Sequence, residues 1–316
     1  MQTGNNNKYL RFWWEIAQNK ESYESSKKWV VFAKGGPVNK WYGNLWLTVN
    51  TYDTNVSSPT KGYFNEGISF SGTGARSSFR YMPSGNIFDN DAPLIFPKGS
   101  YQNLDYCLAF LNSKLVSYII SCLNPTVKTQ VGDVKRIPFV IPHKKSEKLI
   151  SELSQVNINI KRSLTEKSLI DMNFIESPLV ENFDLTDYLN LENHLVTQVL
   201  INEAVIDKAI FNIYSLKEED EISVLDKTGG SIGSLPIINE ARDAFINNAQ
   251  ENYPLAAIEN YISSLDIINI DPEKLERIEK EFEGLYQNLN GIEEFCIRNN
   301  LNCVIKLCIW NTCLPP

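Results

Sequence analysis

The chain has 316 residues, 43% of them hydrophobic and 22% charged, with a formal net charge of −8. Those proportions are ordinary for a globular protein, and the length allows two domains of normal size. No apolar run approaches the roughly 18–20 residues of a membrane span, and the polar start Met1 to Asn7 lacks the basic-then-apolar layout of a secretory signal. The chain is therefore expected in the cytoplasm, with no membrane role, where the sequon Asn55-Val56-Ser57 would be idle. Charge is unevenly spread: residues 1–145 carry 17 Lys+Arg against 9 Asp+Glu, a balance of +8, while residues 146–316 carry 13 against 29, a balance of −16. Of 35 Phe, Trp and Tyr, 23 precede residue 146. Basic residues interleaved with flat rings can neutralise phosphates and stack on bases, and the same rings can equally form the core of a β-rich domain.

In chain order, Tyr9, Phe12, Trp13 and Ile16 fall at helical spacing, which predicts a short aromatic-faced helix over 7–18. From Trp29 to Ile95 the texture changes to short apolar runs, Trp29–Ala33, Leu45–Tyr52, Gly67–Ser71 and Asn86–Phe88. Turn signals such as Gly35-Gly36-Pro37, Gly72-Thr73-Gly74 and Pro83-Ser84-Gly85 separate them. Asn103 is placed to cap one helix running through Leu123, with Leu104, Leu108, Leu111, Leu115 and Ile119 on its apolar stripe and Asn124-Pro125 at its end. A short strand is expected at Ile137–Ile141. Beyond Pro142 the pattern turns helical: 146–167 and 185–216 read as long amphipathic helices able to pair as a hairpin. Glu218 to Glu221 with Gly229-Gly230 reads as a linker, and 271–289 as a later helix with Pro272 in its first turn. The fold class is therefore α+β: a β-rich, loop-rich domain over 1–142 containing a long helix, a helical scaffold over 143–216 and an acidic helical region over 217–316.

Catalytic signatures fit poorly. Phe70-Ser71-Gly72-Thr73-Gly74 superficially matches a loop that receives S-adenosylmethionine, but Ala75 to Tyr81 after it does not read as the helix such a loop should open. An amine methyltransferase also needs an Asn/Asp-Pro-Pro-aromatic loop, and the chain has no Pro-Pro pair before Pro315-Pro316. His143 and His194 are the two histidines, with no nucleophile elbow beside them. Gly229, Gly230 and Gly233 lack the Lys-Ser/Thr ending of a phosphate loop, and the carboxylates of Asp271 to Glu283 sit at the spacing of a solvated helix face. Cys296, Cys303, Cys308 and Cys313 do not have the paired spacing of a zinc knuckle, so no metal site is expected.

Binding residues are easier to nominate. Lys34 and Lys40 flank the Gly35-Gly36-Pro37 turn, where ammonium groups and exposed amides can hold a phosphate. Arg76 and Arg80 follow the Gly72-Thr73-Gly74 turn. With Gln130 they are the side chains suited to reading base edges, because a bidentate Arg on guanine or Gln on adenine discriminates by roughly 1–3 kcal/mol. Lys128, Lys135 and Arg136 extend the basic set.

Ordered strings carry a resemblance. Gln2-Thr3-Gly4, Leu10-Arg11-Phe12-Trp13-Trp14-Glu15, Lys28-Trp29-Val30, Lys34-Gly35-Gly36-Pro37 and Lys40-Trp41-Tyr42-Gly43 come first. Glu66-Gly67-Ile68, Phe79-Arg80-Tyr81, Gly85, Ile87-Phe88-Asp89 and Pro93 follow. Phe110-Leu111-Asn112-Ser113-Lys114, Asn124-Pro125-Thr126 and the run Gln130 to Pro138 complete the series. In this order they resemble the target-recognition region of BREX-type adenine-specific DNA methyltransferases of the PglX family. They are also similar to specificity domains of type I and type IIG restriction-modification proteins. Ile206-Asp207-Lys208 with Phe211 to Leu216 resembles the helix that follows that region. The resemblance implies a phage-defence specificity module for double-stranded DNA. It further implies that S-adenosylmethionine binds in a separate catalytic domain, supplied in cis or in trans, which flips the adenine. No cofactor is then expected in this chain, which would be a fragment, a split gene product or a truncation, with other defence proteins as further partners. Two rival readings stay open: a protein–protein adaptor built on the acidic helices, and a standalone DNA-modifying enzyme with unfamiliar motifs.

Overall fold

The fold is that of a computed structural model, which describes residues 5–16, 28–36, 39–51, 62–72, 78–96, 99–126, 128–177, 180, 185–229, 255–265 and 273. It divides into two compact units, Met1–Glu181 and Asn182–Pro316. The architecture is α+β, with small sheets and several helices.

In the first unit the chain opens with a one-turn helix α1 (Asn6–Tyr9), strand β1 (Leu10–Phe12) and a second one-turn helix α2 (Trp13–Ile16). The single aromatic helix expected over 7–18 is thus interrupted. Its middle pairs antiparallel with β3 (Leu47–Asn50), setting Leu10 opposite Val49 and Phe12 opposite Leu47. Sheet hydrogen bonds and burial of Leu10 outweigh local helical periodicity here.

Strands β2 (Trp29–Ala33), β4 (Gly67–Phe70) and β6 (Ile87–Phe88) form where apolar runs were expected. A four-stranded sheet has the order β1-β3-β2-β6, with β6 parallel to β2. A second sheet has the order β5-β4-β7, its outer strands being β5 (Phe79–Met82) and β7 (Leu94–Ile95), both antiparallel to β4. Phe32, Ala33, Val49, Ile87 and Phe88 from the first sheet share one core with Met82, Tyr63 and Ala92. Each such buried side chain contributes on the order of 1–3 kcal/mol.

Asn103 caps α3 (Leu104–Asn112) by accepting the Tyr106 amide proton. The helix expected to run on to Leu123 breaks at Ser113, which caps α4 (Lys114–Leu123) in turn, and the two axes differ by 63°. The break has a use. Asn112, at the last turn of α3, accepts the Phe79 amide proton on Oδ1 at 3.0 Å and donates Nδ2 to the Phe79 carbonyl at 2.9 Å. A helix running straight through would still supply Asn112, but Ser113 lets α4 turn away from β5 as soon as that contact is made.

Ile137–Ile141 does not join a sheet. Phe139 packs edge-on against Tyr101, Tyr106 and Phe110, and the Tyr106 hydroxyl donates to the Val140 carbonyl at 3.1 Å, so side chains hold this segment in place of a strand partner. Helix α6 (Lys144–Glu166) follows the short α5 (Val131–Val134) and lies on α3. Asn103 donates to Glu147 and Ser151, and Gln155 donates to Asp105. Trp13 reaches beyond α6 to donate its indole N–H to the Ile170 carbonyl at 2.9 Å. The change in charge near residue 145 is therefore not a change in packing, because the apolar stripe of α6, with Ile150 and Leu153 fully buried, finds its cover within the first unit.

In the second unit, α7 (Leu185–Ile213) packs against α9 (Leu255–Ser263). The acidic run expected as a linker is instead the first turn of α8 (Glu218–Thr228), where four carboxylates face the positive end of the helix dipole. Gly229, at φ 78°, ends it. The helix expected over 271–289 and the four clustered cysteines lie outside the described residues, apart from Glu273. No single described helix is long and apolar enough to cross a membrane.

Replacing Asn112 by Ala strands the Phe79 amide, while the Phe79 carbonyl keeps the Trp41 amide as donor. Urea denaturation should show a loss of about 2–3 kcal/mol, the cost of one orphaned buried donor plus a lost bond. A loss under about 0.5 kcal/mol would contradict the role given to this side chain.

Candidate nucleic-acid interface

The nominated residues separate into three environments. Arg80 is buried at 1% relative exposure on β5. Its guanidinium donates to Ser71 Oγ at 3.0 Å and to the Lys34 carbonyl at 3.4 Å. Burial lowers its pKa to about 10, which still leaves it protonated at neutral pH. Arg80 therefore does not face a groove ligand, contrary to the expectation from sequence. Three of the four β5 residues are buried, on both faces of the strand, and Arg80 is one of them. It ties the loop after β2 to the end of β4.

Around that tie three loops converge. The Gly72 amide donates to the Asp91 carbonyl at 2.9 Å, and the Asp89 amide donates to the Ala33 carbonyl at 2.9 Å. A Cβ on Gly35 would stand 3.0 Å from the same Asp91 carbonyl, so this close approach favours glycine. Lys34 and Lys40 are half-buried at either side of this loop, and Lys34 lines an open groove with Arg11, Phe12 and Glu15. Arg76 lies outside the described residues. The glycine string suggested as a cofactor loop ends an antiparallel strand at Phe70. Its Ser71 hydroxyl and Gly72 amide are engaged with Arg80 and Asp91. That geometry does not fit a nucleotide loop between a buried parallel strand and a helix.

Lys128, Gln130, Lys135 and Arg136 come together in the third environment, all exposed, on the turn from Asn124 through α5. The turn is tied by Asn124 and Asp133. Asn124 Nδ2 donates to the Lys128 carbonyl and to Asp133 Oδ2, both at 2.8 Å, while its Oδ1 accepts the Thr126 amide and hydroxyl protons. The Gln130 amide donates to Asp133 Oδ2 at 2.9 Å, and the Gln130 carbonyl accepts from the amides of Asp133 and Val134. Gln130 thus shapes the turn as the N-cap residue of α5 while remaining exposed. The hydrogen bond from Asn124, then that from the Gln130 amide, then the nearby Arg136 charge hold the Asp133 carboxyl below the ordinary carboxylate range. At Gly132 a Cβ would meet nothing within 4 Å, so the outer surface of α5 is open to close approach.

Reading the sequence by composition missed Asn124 and Asp133, which position the site without touching a ligand. It also left out Lys144, Lys145 and Lys148, exposed on the first turns of α6. The signal for the lysines was the density of cations from Lys135 to Lys148, which straddles the expected boundary at 142. Among the described residues no group of three or more metal-ligating side chains occurs.

The basic turn thus stands in a unit of small sheets, one of them mixed, and comparison with known proteins shows the chain to be distantly related to adenine-specific methyltransferases. It is 27% identical over 261 residues to the adenine-specific methyltransferase PglX of Lacticaseibacillus casei (strain Zhang), with 69% of this chain and 21% of that protein covered. It is 27% identical over 231 residues to the adenine-specific methyltransferase BrxX of Escherichia coli O9:H4 (strain HS), with 67% of this chain and 18% of that protein covered. The chain spans about a fifth of the length of these relatives. No family model matches it.

The sign of the Asp133 shift sets a pH window. A carboxyl depressed in the folded state adds stability above its unfolded value near 3.9 and loses it as pH falls through the lower folded value. Carbon-detected titration of the Asp133 carboxyl should give a midpoint below 3.8 that moves up on Asn124→Ala substitution. A wild-type midpoint at or above 3.8 would show that the turn is not tied in this way.

Proposed function

We propose that this chain is the part of an adenine-specific methyltransferase system, of BREX or restriction-modification type, that recognises the sequence of double-stranded DNA. The observation that carries the reading is the exposed set Lys128, Gln130, Lys135 and Arg136 on a turn fixed by Asn124 and Asp133, in a chain related to PglX and BrxX. A pre-ordered basic turn loses little conformational entropy on binding. It offers cations to phosphates and an amide side chain to a base edge. Lys34 and Lys40 add phosphate contacts, and Arg76 remains a candidate base reader. Arg80 is withdrawn from that role and becomes a support for the loop that carries Lys34.

In this reading methyl transfer belongs to a catalytic domain that binds S-adenosylmethionine, joined in cis or supplied in trans, and this chain selects the adenine presented to it. Other defence proteins are further partners. The exposed acidic first turn of α8 supplies a surface for them, and that turn also favours the adaptor reading.

Salt dependence separates the two. Each neutralised phosphate steepens the fall of log K with log salt by about 0.9. Fluorescence anisotropy on a duplex library should therefore give a steep slope that flattens by about 2–3 in the triple variant Lys128→Ala, Lys135→Ala, Arg136→Ala. Gln130→Ala should instead relax preference at one base pair by about 1–3 kcal/mol and leave the slope in place. A slope unchanged by the triple variant would remove DNA from this face, and absent DNA binding would leave the adaptor.

A further inference from the structure

The strand β1 and helix α2 place a second surface on the first unit that the basic turn does not use. Phe12 and Trp14 lie face to face, with ring centroids 4.6 Å apart and planes 5° from parallel, and each keeps 40% of its surface exposed. Such exposure is unusual for two stacked rings, which in a core would be covered on their outer faces as well. Trp14 is held upright by an edge contact from Trp13, at 6.0 Å and 88°, and Trp13 is itself fixed by its bond to the Ile170 carbonyl. The stack is thus anchored from behind.

Beside it runs an open groove of about 370 Å³ lined by Asn6, Asn7, Arg11, Phe12, Glu15 and Lys34, among others. Its lining carries two cations, Arg11 and Lys34, against the one carboxylate of Glu15. The Glu15 carboxylate is turned back to accept the Phe12 amide proton at 2.7 Å, and Arg11 is braced by donating Nη1 to the carbonyls of Asn7 and Leu10, both at 2.6 Å. Lys34, on the loop tied by Arg80, lines the same groove.

A flat apolar face next to a cationic groove matches one chemical unit, a nucleobase with its phosphate. We propose that the Phe12–Trp14 stack and the adjoining groove hold a single unpaired base of a bound DNA strand, the base on the ring face and its phosphate between Lys34 and Arg11. The base of an intact duplex is excluded because both its faces are already stacked, so this site acts only where a strand is opened. The inference rests on the DNA reading above and extends it to a second site on β1 and α2.

The test uses the full chain and three probes: an intact duplex, the same duplex carrying a one-nucleotide adenine bulge, and free deoxyadenosine monophosphate. The bulged duplex should bind about five- to a hundredfold more tightly than the intact one, the range that one stacked base supplies. Trp14→Ala should erase that preference, so that both duplexes bind alike, and Trp14→Phe should restore most of it. Phe12→Leu provides a second variant, with circular dichroism confirming that each is folded. Equal affinity of the wild-type chain for the two duplexes would overturn this inference alone. Failure to bind any duplex would sink the DNA reading with it. Displacement of the bulged duplex by micromolar deoxyadenosine monophosphate would assign the groove to a free nucleotide and overturn the strand-borne assignment.

Discussion

The first unit depends on how the outer edge of β5 is closed. β5 pairs with β4 on one side, and an edge strand left open on the other would present bare amides and carbonyls. Here two unrelated parts of the chain take those groups. Asn112 engages both the amide and the carbonyl of Phe79. Trp41 donates its own amide to the Phe79 carbonyl and accepts the Tyr81 amide proton on its carbonyl. Trp41 makes this parallel bridge at φ 73°, a left-handed conformation that costs a residue with a side chain roughly 1–2 kcal/mol. Full burial of its indole offsets that cost. One short strand thereby joins the helical layer, through α3, to the loop that carries Lys40.

Arg80 extends the same constraint to the other loops. Its charge is expensive to bury, and the hydrogen bonds to Ser71 and the Lys34 carbonyl only partly repay the lost hydration. What those bonds provide is position. One guanidinium fork joins the loop after β2 to the end of β4, a span a lysine ammonium could not make in the same way, and backbone bonds add the loop after β6. The Lys34 side of the groove is placed in part by this buried arginine, which bonds the Lys34 carbonyl.

Much of this was legible in the sequence, and the failures share a cause. Strands β2, β4 and β6, the Asn103 cap and the two long helices follow from local patterns that tertiary contacts reinforced. β5 went unseen because Phe79-Arg80-Tyr81-Met82 places a cation amid apolar residues, and its backbone partners lie at Trp41, at Asn112 and on β4. The aromatic segment at the N-terminus was misread as one helix because Leu10 to Phe12 pairs with residues nearly forty positions away. Ile137–Ile141 has strand-like composition but meets the aromatic rings of α3 before any sheet edge. At the candidate interface, Lys128, Lys135 and Arg136 were readable as cations. Asn124 and Asp133, which tie the turn that carries those cations, were legible only as a helix end and as parts of the resembling strings, because their mutual hydrogen bond spans nine residues.

The same comparison shows which cations in such a chain are available to a ligand. Every residue of β4 is buried, as are three of the four in β5, so a basic side chain at any of those positions must be satisfied internally, as Arg80 is. Turns obey a different rule. Their backbone groups can be satisfied by short polar side chains such as Asn124 and Asp133, while Lys128, Gln130, Lys135 and Arg136 stay exposed. Net charge therefore overstates the exposed positive surface of the described part of the basic half. Among the described residues of this unit, the exposed cations lie mostly between residues 128 and 148, on both sides of the point where composition changes sign.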